Sequence, residues 1–261
     1  MGKPEHELSI GEILELAFNL YTKNFLVFFF PILIMMVFSG IVSAVVASFV
    51  NEALSNMPMY GTLPEVLDWL TNFLQTFIPI ALAATLLSWI ISATTQGICV
   101  KCAADLIEKG RASLGEAVNF TIYKIFTLII AVIVTNLLIV LGCLALIIPG
   151  ILLAIMFYLV IPVIVVEDIG VLDGISRSRT LVGNRWLKTF AIALILGIVS
   201  MLAYYIGNLI GRPLGTFNVV VGSVISAFVQ PIVVISATVY YYAMLAKEAK
   251  MKLPPPPPPP F

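Results

Sequence analysis

The sequence predicts an all-α polytopic membrane protein: six transmembrane helices in three repeated units, each an amphipathic interfacial helix followed by a helical hairpin. Three observations predict it. Hydrophobic residues fill 61% of 261 positions and charged residues 11%, against roughly 25% charged in soluble domains, and the mean hydropathy is +1.08. Apolar runs long enough to cross a bilayer recur along the chain. The cations gather in alternate connections between those runs. Fourteen Lys and Arg balance fourteen Asp and Glu, so nothing in the global charge points to a nucleic-acid partner.

The first unit opens with SIGEILELAFNLYTKNF, residues 9–25. Ser9 followed three positions later by Glu12 is a capping box. Ile13, Leu14, Ala17, Phe18 and Tyr21 then share one helix face, opposite Glu12, Glu15, Asn19 and Thr22. A span needs about 20 apolar residues, and 25–50 and 77–100 supply two. Between them, 51–76 carries Glu52, Glu65 and Asp68 and no cation.

Lys101, Lys109, Arg111 and Lys124 surround the second unit's opening, SLGEAVNFTIYKIF, which repeats the Ser-x-Gly-Glu box at Ser113 and Glu116. No residue from Ile125 to Val166 is charged. That run is too long for one crossing, and Pro149-Gly150 divides it into spans of 122–147 and 150–166.

The third unit opens with VLDGISRSRTLVGNRWLK, residues 171–188. Val171, Leu172, Ile175, Val182 and Trp186 project on one face and Asp173, Arg177, Asn184 and Lys188 on the other, with Asp168 or Asp173 as candidate cap. Spans of 189–210 and 217–246 follow. Lys23 with Phe25, Lys124 with Phe126, and Arg185 with Trp186 suit the membrane boundary. Only Arg212 breaks the alternation of cations, so both termini are expected in the cytoplasm of a multi-pass cell-membrane protein. The domain organisation is a six-span membrane unit over 1–253 and a polyproline tail over 254–261. Pro254 to Pro260 form a polyproline II rod, either a spacer or a ligand for a cytoplasmic partner.

PGILLAIMFYLVIPVIVVEDIGVLDGISRSRTLVGNRW resembles the glycerophosphoryl diester phosphodiesterase membrane-domain family and its six-span prokaryotic relatives. The likeness rests on Pro149, Gly150, Glu167, Arg177, Ser178, Leu181, Gly183 and Asn184, and on the opening LSIGEILELAFNLYTKNF. At position 179 the family more often has an aromatic residue, where this chain has Arg. The resemblance implies a membrane-embedded helper and no catalytic domain of its own.

Two groups of residues are candidates for function. Arg177, Arg179, Arg185 and Lys188 form a basic patch suited to anionic lipid headgroups, each cation adding about 1 kcal/mol of attraction to an anionic leaflet. Arg179 projects from the apolar face and is a candidate ion-pair partner for Glu167 or Asp168. Gln96, Asn136 and Gln230 are polar within spans and must face one another or a cavity, although interhelical hydrogen bonding serves packing equally well. Pro79, Pro162 and Pro231 either break helices around a site or mark kinks that the bundle repairs. His6 is the sole histidine and Cys99-Val-Lys-Cys102 lacks a strand-to-helix setting, so no metal, cofactor or catalytic site is expected. The expected function is a non-enzymatic lipid-interacting or partner-recruiting module. The alternative is a transporter or lipid-translocating permease built around the polar intramembrane residues.

Overall fold

The computed structural model describes residues 3–4, 6–183 and 185–252, with residues 216 and 250–252 described by backbone alone. Pro254 to Pro260 lie outside the described residues. The regular elements among those described are helices, in the order α1 (Ile10–Lys23), α2 (Phe25–Ser55), α3 (Leu63–Lys109), α4 (Leu114–Tyr123), α5 (Ile125–Ala145), α6 (Ile147–Met156), α7 (Val160–Glu167), α8 (Val171–Gly183), α9 (Trp186–Gly211), a 3₁₀ turn (Arg212–Phe217), α10 (Asn218–Ser226) and α11 (Gln230–Lys252). Six segments among them are long and apolar enough to cross a membrane: α2, α3, α5, α6 with α7, α9, and α10 with α11. The protein is an integral membrane protein.

The first hairpin is longer than hydropathy predicts. Residues 51–76 read as a polar connection, yet most of them are helical, so α2 runs for 31 residues and α3 for 47. Backbone hydrogen bonding carries a helix past the apolar region when nothing terminates it. Here Glu65 accepts from the Thr62 backbone N–H at 2.7 Å to start α3. The Trp69 indole donates to the Ala53 carbonyl at 3.2 Å, joining the two helices, and Trp69, Phe73 and Phe77 stack at 5.5 and 5.2 Å along α3.

The α5–α6 hairpin turns one step earlier than the Pro149-Gly150 pair suggests. Leu146 alone is extended, with φ −163° and ψ 145°, and Pro149 falls in the first turn of α6, where its missing N–H costs nothing. Gly150 serves close packing instead. A Cβ there would sit 2.1 Å from Cys143 Sγ and 2.7 Å from the Cys143 backbone nitrogen.

Proline shapes the returning segments. Pro162 and Pro231 each lie in the first turn that follows a break, at Phe157–Leu159 between α6 and α7 and at Ala227–Val229 between α10 and α11. Neither proline can donate to the carbonyl four residues back, so Tyr158 and Ala227 lose that partner. Pro79, in contrast, sits inside the continuous α3.

The helices expected to lie on the membrane surface pack into the protein. α1 buries Ile13, Ala17, Leu20 and Tyr21 in a core shared with Cys99, Cys102, Leu106 and the Tyr240, Tyr241 and Tyr242 run of α11, leaving Phe18 exposed. Its capping box is complete: Ser9 N–H donates to Glu12 at 2.6 Å and Glu12 N–H to Ser9 Oγ at 3.3 Å. In α4 the Glu116 N–H donates to Ser113 Oγ at 3.4 Å. α8 buries Gly174, Ser178, Leu181 and Val182, a stripe rotated from the projected one, while Leu172 is 79% and Trp186 49% exposed. Gly174 determines this rotation, because a Cβ there would sit 2.5 Å from Ile164 Cγ1. Asp168 ends α7 in the left-handed region at φ 54°, with its carboxylate on Lys124.

Candidate functional site

Charged groups collect at the end of the bundle where the N-terminal segment meets α7, α8 and α11, and they arrive in pairs. Arg177 Nε donates to Glu167 at 3.0 Å, and its two terminal nitrogens donate to Glu248 at 3.2 and 2.6 Å. Tyr241 donates to the same Glu167 oxygen at 2.9 Å. The bonds from Glu248, ahead of those from Glu167, raise the pKa of Arg177 and keep it charged.

Arg179 does not take the place proposed for it. It projects to solvent with no ion pair among the described residues, because it lies about 200° around the helix from Arg177, and Arg177 flanks the buried Gly174–Ser178–Leu181 stripe. Asp168 pairs with Lys124 at 2.5 Å. Glu7, preceding α1, takes Arg185, Lys188 at 3.0 Å and Lys247 at 3.2 Å. Of the four cations read as a headgroup patch, three are engaged by carboxylates and the fourth points away.

The intramembrane polar residues divide. Asn136 turns back on its own helix, donating to the Val132 carbonyl at 2.8 Å. Gln96 and Gln230, however, border one cavity of about 200 Å³ together with Ser92, Thr95 and Tyr158. Gln96 donates to Ser92 Oγ at 2.8 Å. The Tyr158 hydroxyl is buried and finds no partner in the protein. This cavity lies where both proline breaks face α3, Tyr158 in one break and Gln230 beginning the helix after the other.

Gln230 also borders a second cavity, of about 450 Å³, whose wall includes Ser39, Ser43, Ser200, Ser223 and Ser226. The hydroxyls of Ser200 and Ser226 are likewise buried without a protein partner. Ser43 in turn borders a third, of about 520 Å³, reaching Asn51 between α2 and α3. The walls are hydroxyls, amides and apolar surface with no charge.

A family model for a domain of unknown function, DUF7847, matches residues 111–247. The chain belongs to this family. The DUF7847 match runs from just before α4 into α11, so it includes Tyr158, Glu167, Arg177, Arg185, Gln230 and Lys247 but neither Glu7 nor Gln96. The DUF7847 region therefore supplies one wall of the cavity, and α2 and α3 supply the other. No curated protein and no solved structure matches the chain.

Sequence reasoning missed Glu7, Tyr158, Tyr241, Lys247 and Glu248. Tyr158 had a readable signal, a hydroxyl four residues before an intramembrane proline. Glu7 and Glu248 had only their sign, as isolated acids facing cations far away in sequence. Among the described residues no three His, Cys, Asp or Glu side chains gather to hold a metal ion; Cys99 and Cys102 are buried free thiols and Cys143 is exposed.

Proposed function

We propose that this DUF7847 protein is a non-enzymatic, lipid-interacting membrane module that draws an uncharged polar group, such as a hydroxylated lipid headgroup, into the cavity bordered by Gln96, Tyr158 and Gln230. One observation carries the reading. Three buried hydroxyls, those of Tyr158, Ser200 and Ser226, find no protein partner and line two cavities that both border Gln230. An unmet polar group costs about 1–3 kcal/mol by mutational scales, so a guest with hydroxyl or amide character gains what these groups lack. A charged guest would meet no counter-charge and is disfavoured.

The charged end faces the cytoplasm in this reading, with both termini on that side, since cations favour it. The amphipathic helix and hairpin recur three times, as α1–α2–α3, α4–α5–α6/α7 and α8–α9–α10/α11, in one orientation. The resemblance of residues 149–186 to the glycerophosphoryl diester phosphodiesterase membrane domain agrees with a helper role in lipid handling. A second reading, a lipid-translocating permease, is favoured by the sequence of polar cavities along α2 from Ser39 to Asn51 and by broken helices bordering a site.

Native mass spectrometry of the protein released from membranes tests the first reading. The parent should carry neutral hydroxylated lipids and a Gln96→Leu/Gln230→Leu variant should lose them; an identical lipid complement in both refutes it. Flipping of neutral labelled lipids in proteoliposomes, abolished by the same variant, would favour the permease.

A further inference from the structure

A second site lies at the charged end, independent of the intramembrane cavity. We propose that Arg185, Lys188 and Lys247 form a site for a phosphate group, and that Glu7 occupies it as an internal substitute. The Glu7 carboxylate is bound through one oxygen by Arg185 and Lys188, the latter at 3.0 Å, and through the other by Lys247 at 3.2 Å. Three cations, Arg185 at the N-cap of α9, Lys188 within α9 and Lys247 within α11, thus converge on one carboxylate, two more than Glu7 alone neutralises. Their neighbour Arg177 does not share Glu7, because Glu167 and Glu248 bind it.

Beside this cluster is a cavity of about 250 Å³ bordered by Arg177, Arg185, Lys247 and Glu248. That is many times the space one water needs, enough to admit a phosphate next to the cations. A phosphate offers more acceptor oxygens than a carboxylate and up to twice its charge, so it satisfies Arg185 and Lys247 more fully than Glu7 does. Glu7 lies outside any helix, in the segment leading to Ser9. Its side chain can swing off the cations without unwinding α1, while the buried Leu8 keeps the segment in place. Lys188 also donates to the Leu8 carbonyl at 2.5 Å, which ties the segment's position to the same cations.

The height of the site in the membrane suits a lipid phosphate. Arg185 and Lys188 bracket Trp186, which is half exposed at the start of α9, and tryptophan at a span's end marks the headgroup layer. The shared chemistry is the phosphate group, and a lipid headgroup or free phosphate can present it.

The test uses the full chain in nanodiscs of zwitterionic lipid, titrated separately with phosphatidic acid in the disc and with inorganic phosphate in solution, binding being read by native mass spectrometry. The Glu7→Gln variant should bind about tenfold more tightly, the factor that corresponds to about 1.4 kcal/mol. Arg185→Gln/Lys247→Gln should bind at least about tenfold more weakly, and Arg179→Gln should match the parent. Binding of phosphatidic acid alone assigns the site to lipid, and binding of inorganic phosphate as well assigns it to the free group. If Glu7→Gln binds no more tightly than the parent, the proposal is overturned, whatever the double variant does. Equal loss in the Arg179→Gln and double variants also overturns it, because the effect is then net charge and not a site.

Discussion

Replacing Arg177 by Met should destabilise the protein far more than the same change at Arg179. Arg177 makes three charge-assisted hydrogen bonds, at 3.0, 3.2 and 2.6 Å, to carboxylates on two different helices. Its side chain is 27% exposed and those of Glu167 and Glu248 are 25% and 26%. Breaking a fully buried pair costs about 3–5 kcal/mol, chiefly by leaving charge without a partner. Residual exposure screens part of that, so about 2–3 kcal/mol is expected here. By the scaling for soluble domains of this size the midpoint falls by about 4–12 °C. Arg179→Met should stay within about 0.5 kcal/mol, as a surface change does. The assay is thermal unfolding in a neutral detergent, followed by tryptophan fluorescence. Arg177→Met/Glu167→Gln should recover part of the loss, since the carboxylate that pairs with Arg177 at 3.0 Å is then neutral. If Arg177→Met and Arg179→Met melt together, or the double variant loses the sum of its parts, the network contributes nothing and the reasoning fails.

Gly150→Ala should cost about 1–3 kcal/mol through overpacking, and Cys143→Ala should not rescue it, because the Cys143 backbone nitrogen is only 2.7 Å from the added carbon; a parental melting point in Gly150→Ala would disprove the packing. Ser9→Ala should weaken amide protection in α1 by about 1 kcal/mol, the usual loss of an N-cap, as hydrogen exchange would show. The Glu12 carboxyl titrates below its ordinary value of 4.5 because the Ser9 backbone N–H, and then the Ser9 hydroxyl, bond to its charged form. Its support for α1 is therefore present above pH 4.5 and lost as pH falls through the lower folded value, so the protection of α1 amides relative to their intrinsic rates should fall in that window in the parent and hold steady in Glu12→Gln. Tyr158→Phe should leave stability in lipid-free detergent unchanged or slightly higher, because the hydroxyl has no protein partner, while lipid retention falls; a destabilised Tyr158→Phe would mean that the hydroxyl is already satisfied.

Hydropathy made the six crossings legible because burial in lipid selects on composition alone. It misjudged where α2 and α3 end, because Glu52, Glu65 and Asp68 on a helix extended past the apolar zone read like the same residues in a loop. Two spans do lie in the run that Pro149-Gly150 was read to divide, but the turn falls at Leu146, since proline fits a helix's first turn as well as a connection and Gly150 answers a close approach that only the fold reveals. Gln96 and Gln230 were found together since polarity inside a span is rare enough to stand out. Asn136 carried the same signal but satisfied itself on its own helix. The charged end was the least legible part. A projection places cations on faces, but whether Arg177 or Arg179 meets Glu167 depends on the register of α8 against α7, which Gly174 and Ser178 set through contacts with Ile164 and the Met156 carbonyl.

At 47 residues, α3 measures about 70 Å, more than twice the roughly 30 Å of a bilayer's apolar layer. It packs closely at Gly97, where a Cβ would sit 2.6 Å from Leu128 Cδ1 and 2.9 Å from Thr121 Cγ2. That contact divides the helix into unequal arms: a short one ending at Lys109 among the charged groups, and a long one of about 50 Å reaching Leu63. A tilt of about 5° about Gly97 carries the far tip about 4 Å, some three times the travel of the short arm. Pro79, which cannot donate to the Gln75 carbonyl, leaves one gap in the hydrogen bonding of the long arm.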